Sequence, residues 1–110
     1  MKRKLLTDFE LMILLATLRL GDEAYAVLIS REIEQTAGRP VLLGALYAAL
    51  DRLHAMGFVS FRLGDPTPER GGRAKKFFRV TRSGLRAVKE TRRALNALWT
   101  GVPQLDGVTA

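Results

Sequence analysis

The densest chemistry in the chain lies between Pro68 and Thr81, in the stretch PERGGRAKKFFRVT. Arg70, Arg73, Lys75, Lys76 and Arg79 crowd this stretch, Glu69 is its only acid, and Gly71 and Gly72 sit among the cations. Guanidinium and ammonium groups so placed can hold phosphate oxygens through charge-assisted hydrogen bonds, and a planar guanidinium also fits a narrow minor groove. A solvated face carrying charge for solubility alone is the other account of the same residues. Other chemistries find little support. His54 is the only histidine and has no neighbours that would make a triad or a metal site, so exposed helix surface is its expected place. Cysteine is absent, which excludes disulfides, thiolate nucleophiles and Cys-ligated metals. Gly71 and Gly72 before Lys75 do not have Walker A spacing, and no Lys-Ser/Thr pair opens a helix after them. No cofactor is implied and no enzymatic activity is expected.

The charge balance agrees with a polyanionic partner. Eighteen Lys/Arg against 11 Asp/Glu give a formal charge of +7, which favours nucleic acid first and an acidic membrane surface second. At 110 residues, 47% hydrophobic and 26% charged, the chain fits one ordinary globular domain. No apolar run reaches transmembrane length. The opening MKRKLLTDFELMILLATLRL has the basic head and apolar body of a signal peptide, but Asp8, Glu10 and Arg19 interrupt the body and no small-residue cleavage site follows. A cytoplasmic location is the expectation.

Several elements must position the basic stretch. Thr7 and Glu10 form a capping box, and Leu11, Leu14, Leu15 and Leu18 then recur at helical spacing up to Gly21. A second helical pattern sets Val27, Leu28, Ile33 and Ala37 against Arg31, Glu32, Glu34 and Gln35, and Gly38 ends it. After Pro40 a third helix covers roughly 43–56, with Leu46, Ala49, Leu50, Leu53 and Met56 inward. The period then changes. Residues 58–63 alternate as a strand, 76–80 form a second, and the GDPTPERGGRA between them suits a hairpin tip. Thr81 caps a last helix to about Trp99, along which Leu85, Val88, Thr91, Leu95, Leu98 and Val102 advance by three or four residues. The expected fold is therefore mainly α with a small β-hairpin, in winged helix-turn-helix order with one more helix behind it. Residues 1–81 would form the winged helix-turn-helix domain, 82–102 the trailing helical segment and 103–110 a flexible tail.

Four segments resemble the PadR-like transcriptional regulators in their short form: LTDFELMILLATLRLGDEAYAVLISREIE, LGALYAALDRLHAMGFVS, GDPTPERGGRAKKFFRVT and the helix that follows. The resemblance covers about residues 6–99. It implies a homodimeric repressor on double-stranded DNA, with the third helix in the major groove, the hairpin against the backbone or minor groove, and dimerisation through the last helix. It also implies that Tyr47 faces DNA.

Residue by residue, the expected DNA surface consists of Gly44, whose small size lets the helix approach the groove, Tyr47, Arg52 as a phosphate contact, and Arg70, Arg73, Lys75 and Lys76 on the hairpin. Gln35 and Thr36 are lesser polar candidates. Lys2, Arg3 and Lys4 are either an arm on phosphates or a disordered start. The third helix lacks the Asn, Gln or leading Arg of bidentate base readout, which leaves thymine methyls or DNA shape to set sequence choice. The expected dimer surface is Leu85, Val88, Leu95, Leu98 and Trp99. Trp99 is the only tryptophan; the resemblance also implies a possible small aromatic effector there, although an interface anchor is the plainer role. A winged-helix module whose basic hairpin grips an acidic protein partner is the alternative of another class.

Overall fold

The structure, a computed structural model, describes residues 5–65 and 74–105. The expectations placed on Lys2 to Lys4, on Arg70 to Arg73 and on 106–110 lie outside the described residues.

Thr7 opens α1 (Asp8–Leu20) by a reciprocal cap: Glu10 N–H donates to the Thr7 hydroxyl (3.2 Å) and Thr7 N–H to Glu10 Oε1 (2.9 Å). These bonds satisfy two of the amide donors that a helix start leaves without partners. A 3₁₀ turn (Gly21–Glu23) leads to α2 (Ala26–Ala37), which Gly38 ends in the left-handed conformation, φ 71°, where a side chain would be strained. Helix α3 (Leu43–Ala55) follows, then strands β1 (Val59–Leu63) and β2 (Lys76–Val80), then α4 (Arg82–Trp99) and a final 3₁₀ turn (Pro103–Leu105). The strands pair antiparallel with Val59 opposite Val80, Phe61 opposite Phe78 and Leu63 opposite Lys76. Phe78 N–H also donates to the Ala24 carbonyl (2.7 Å), so the segment before α2 lies along the free edge of β2.

Ile13, Leu14, Ile29, Leu46, Leu50, Leu53 and Val59 are fully buried and join the helical unit to the root of the hairpin. Two expected stripes are corrected by this packing. In α1 the inward residues are Glu10, Ile13, Leu14, Ala16 and Thr17, whereas Leu15 and Leu18 are each 43% exposed. The helix is apolar on both sides, so a count of leucines selects the wrong face. In α2 the buried set is Ala26, Ile29, Ser30 and Ile33, with Ala37 exposed; these four share one helical face, whereas Val27, Leu28, Ile33 and Ala37 do not. The α3 stripe stands as expected, with Met56 half-buried at its end.

Surface bonds fix α1, α2 and the α2–α3 link. Arg19 Nε donates to Glu32 Oε2 (2.6 Å), and the Thr36 hydroxyl donates to the same oxygen (2.9 Å). Those two hydrogen bonds, Arg19 first, hold the Glu32 carboxyl below its usual range. Arg39 lies over the Phe9 ring (4.6 Å) and pairs with Asp8 (3.6 Å), and Val41 N–H donates to Glu34 Oε2 (3.0 Å).

Helix α4 is anchored at one end and uncovered at the other. Thr81 accepts from Gly84 N–H (3.0 Å), and its own hydroxyl donates to the Gly57 carbonyl (2.6 Å). Further along, the buried Thr91 hydroxyl accepts from Leu6 N–H (3.1 Å), tying the chain start to α4. Gly84, Ala87, Val88 and Thr91 are buried, and beyond them the helix leaves its own domain. The radius of gyration, 15.9 Å, exceeds the roughly 13 Å of a compact chain of this length accordingly.

Candidate nucleic-acid interface

Helix α3 carries its surface on a rigid base. Leu46, Ala49, Leu50 and Leu53 are inaccessible, which turns Gly44, Ala45, Tyr47, Ala48, Asp51 and Arg52 to solvent. Tyr47 is 52% exposed. A Cβ at Gly44 would meet nothing within 4 Å, so no contact within the chain requires a glycine there. Glycine in a helix is less favourable than alanine by about 1 kcal/mol. Its smallness leaves the outer side at the front of α3 open to close approach.

The hairpin stem seats its cations on aromatic rings. Lys76 Nζ lies 4.6 Å from the Phe61 ring centroid, Lys75 Nζ lies 4.2 Å from that of Tyr25, and the Arg62 guanidinium lies 4.5 Å from that of Phe77. Cation–π contact and alkyl packing hold such heads in place while leaving their charge intact. Alternation along β2 separates the two lysines. Lys76 shares its face with Phe61 and Phe78, and Phe61 in turn meets His54 of α3 (centroids 5.2 Å apart). Lys75 lies on the Tyr25 and Phe77 side, where those two rings meet edge to face at 5.7 Å. The structure thus brings Lys76 next to α3 and places Lys75 beside the start of α2. Arg62 and Phe61, which sequence reasoning did not single out, complete the stem. Alternating aromatic and basic residues in two paired strands were the available signal.

The expected dimer surface divides. Val88 is only 8% exposed and belongs to the chain's own core, which corrects its place on that surface. Leu85, Leu95, Leu98 and Trp99 are exposed. Leu95, Leu98 and Trp99 continue the helical face begun by Ala87, Val88 and Thr91, so one stripe is covered in its first half and bare in its second. Among the described residues no group of His, Cys, Asp or Glu could hold a metal, and no helix is long and apolar enough to cross a membrane.

Three helices, a β-hairpin packed on the third and a long trailing helix define a winged helix-turn-helix protein, a class that binds DNA. The sequence profile described as the transcriptional regulator PadR-like family matches residues 14–90, and the chain belongs to that family. It is therefore a DNA-binding transcriptional regulator and not an enzyme. Among similar solved structures, a PadR family transcriptional regulator from Eggerthella lenta shares the fold (TM-score 0.68, 23% identity, 89% of this chain and 83% of that one). A PadR-like transcription factor from Bacteroides fragilis is 27% identical over 82% of each chain, with TM-score 0.67. The hsRosR-S1 complex structure is 28% identical over 90% of this chain and 80% of that one, with TM-score 0.64. No curated protein sequence matches the chain.

Proposed function

We propose that the protein is a homodimeric repressor that occupies a palindromic operator, its α3 helices in successive major grooves and its hairpins against the flanking backbone. The observation that carries the DNA-contacting surface is the outer side of α3. Small residues open its front, Tyr47 stands beside them, and Lys76 of the hairpin lies on the same side through Phe61 and His54. In this reading Tyr47 donates to a phosphate or stacks on a sugar, Arg52 supplies a further phosphate contact, and Arg70, Arg73, Lys75 and Lys76 clamp the backbone. The bare second half of α4, with Leu95, Leu98 and Trp99, meets a second copy, joined by the exposed Leu85 near the start of the helix. The exposed Leu15 and Leu18 add to the case, because a helix apolar on both sides needs cover on both. Two-fold symmetry then sets half-sites about one helical turn apart.

Selection of double-stranded DNA on the purified protein at two salt concentrations tests the whole reading. Recovery of a palindrome whose binding weakens steeply with salt is the expected result, and enrichment of no sequence would refute it. Tyr47→Ala should lower operator affinity about tenfold. Its thermal midpoint should stay near wild type, since substitutions at exposed sites usually change stability by no more than about 0.5 kcal/mol; undiminished affinity removes Tyr47 from the surface. Lys76→Ala should make the slope of log affinity against log salt shallower by about 0.9, one phosphate's worth, and an unchanged slope in a fluorescence titration would exclude that contact.

Trp99, 46% exposed, serves here as an interface anchor, with a flat aromatic effector stacking on it as the further role suggested by the family resemblance. As the only tryptophan it reports either event through its own fluorescence.

A further inference from the structure

We infer that Leu42 reads the C5-methyl group of a thymine in the major groove, an assignment that rests on the DNA-facing role proposed above for the outer side of α3. Leu42 is 80% exposed, the highest value among the exposed large hydrophobic residues described, and it directly precedes α3. Two local rules are broken there at once. An exposed leucine contributes almost nothing to folding through burial. It also stands at the helix cap, where Ser, Thr, Asp or Asn would accept a hydrogen bond from an amide that Leu42 leaves uncapped. Sites that break local rules without a folding gain are where function is expected.

The backbone at this leucine is held rather than loose. Gly38 turns the chain, Val41 N–H is bound to Glu34, Arg39 is fastened over Phe9 and beside Asp8, and the Leu42 carbonyl accepts from Leu46 N–H (3.0 Å). An apolar side chain is thereby carried at a fixed position at the front of α3. The surroundings on α3 suit a base edge: Gly44, Ala45 and Ala48 leave room, and no Asn, Gln or Arg precedes Arg52 to pair with a base. In the major groove the apolar feature available to a leucine is the thymine methyl. Leu43, 41% exposed, lies one turn before Tyr47 and borders the same patch.

The test replaces thymines of the selected operator, one at a time, by deoxyuridine. This removes the methyl and keeps every hydrogen-bonding group. Wild-type affinity should fall by about 3- to 10-fold at one thymine in each half-site, the range expected for a buried methyl contact. Leu42→Ala should bind the thymine and uracil operators equally. An operator with no thymine opposite α3, or indifference to uracil at every position while specific binding persists, overturns the inference and leaves the DNA-binding reading intact. Uracil sensitivity retained in Leu42→Ala transfers the contact to another side chain and also overturns it. Failure to bind any DNA would remove both.

Discussion

Replacing Leu95 and Leu98 together by aspartate is expected to leave the protein monomeric. Both leucines sit beyond Thr91, the last buried residue of α4, and Leu98 is 77% exposed in the isolated chain. Neither belongs to the buried core of the protomer, so its fold should survive. At a two-fold interface each substitution counts twice. With at least about 1.5 kcal/mol for each leucine buried, the loss is about 6 kcal/mol, on the order of 10⁴ in the dissociation constant, before the cost of desolvating four carboxylates. Sedimentation at micromolar concentration reads the result directly, and a surviving dimer would refute this surface. Operator affinity should fall as well, because a monomer engages one half-site and loses the high effective concentration that a dimer gives the second.

Gly84→Ala should be the most damaging glycine-to-alanine change among the described residues. In most helices this substitution adds stability, by up to about 1 kcal/mol. Here the added Cβ would overlap the carbonyl oxygen of Phe58 and approach Val80 Cγ1 to 2.9 Å. The Phe58 carbonyl cannot yield easily, since it accepts from Thr81 N–H (3.0 Å), and Thr81 is also bound to Gly57 and Gly84. Helix α4 would have to lift from the root of the hairpin. A loss of about 2–3 kcal/mol is expected, or roughly 10–15 °C in the thermal midpoint. Arg86→Ala, on the exposed side of the same helix, should be close to neutral. A Gly84→Ala protein as stable as wild type would show that the contact between α4 and Phe58 is not tight.

The features legible in the sequence were those encoded by near neighbours. Thr7 with Glu10, Gly38, Thr81 and the change of period after Gly57 marked the helix ends and the strands to within a residue or two, because caps, turns and alternation depend on groups a few positions apart. The composition of 64–81, joined to LGALYAALDRL, carried the family as well. What only the tertiary structure decided depends on groups far apart in the chain. Which side of α1 faces inward could not be read, since both sides are apolar and packing against α2, α3 and α4 makes the choice. That Val88 is core while Leu95 and Leu98 are surface follows from where the domain ends beneath one uninterrupted stripe. Gly84 looks like a weak point in a helix until Phe58, 26 positions earlier, is laid across it. Lys75 and Lys76 read as one cluster of charge, and the pairing of β1 with β2 sends them to opposite faces, Lys76 toward α3 and Lys75 toward Tyr25. Local periodicity specifies which elements form, and burial between distant segments specifies which faces remain exposed.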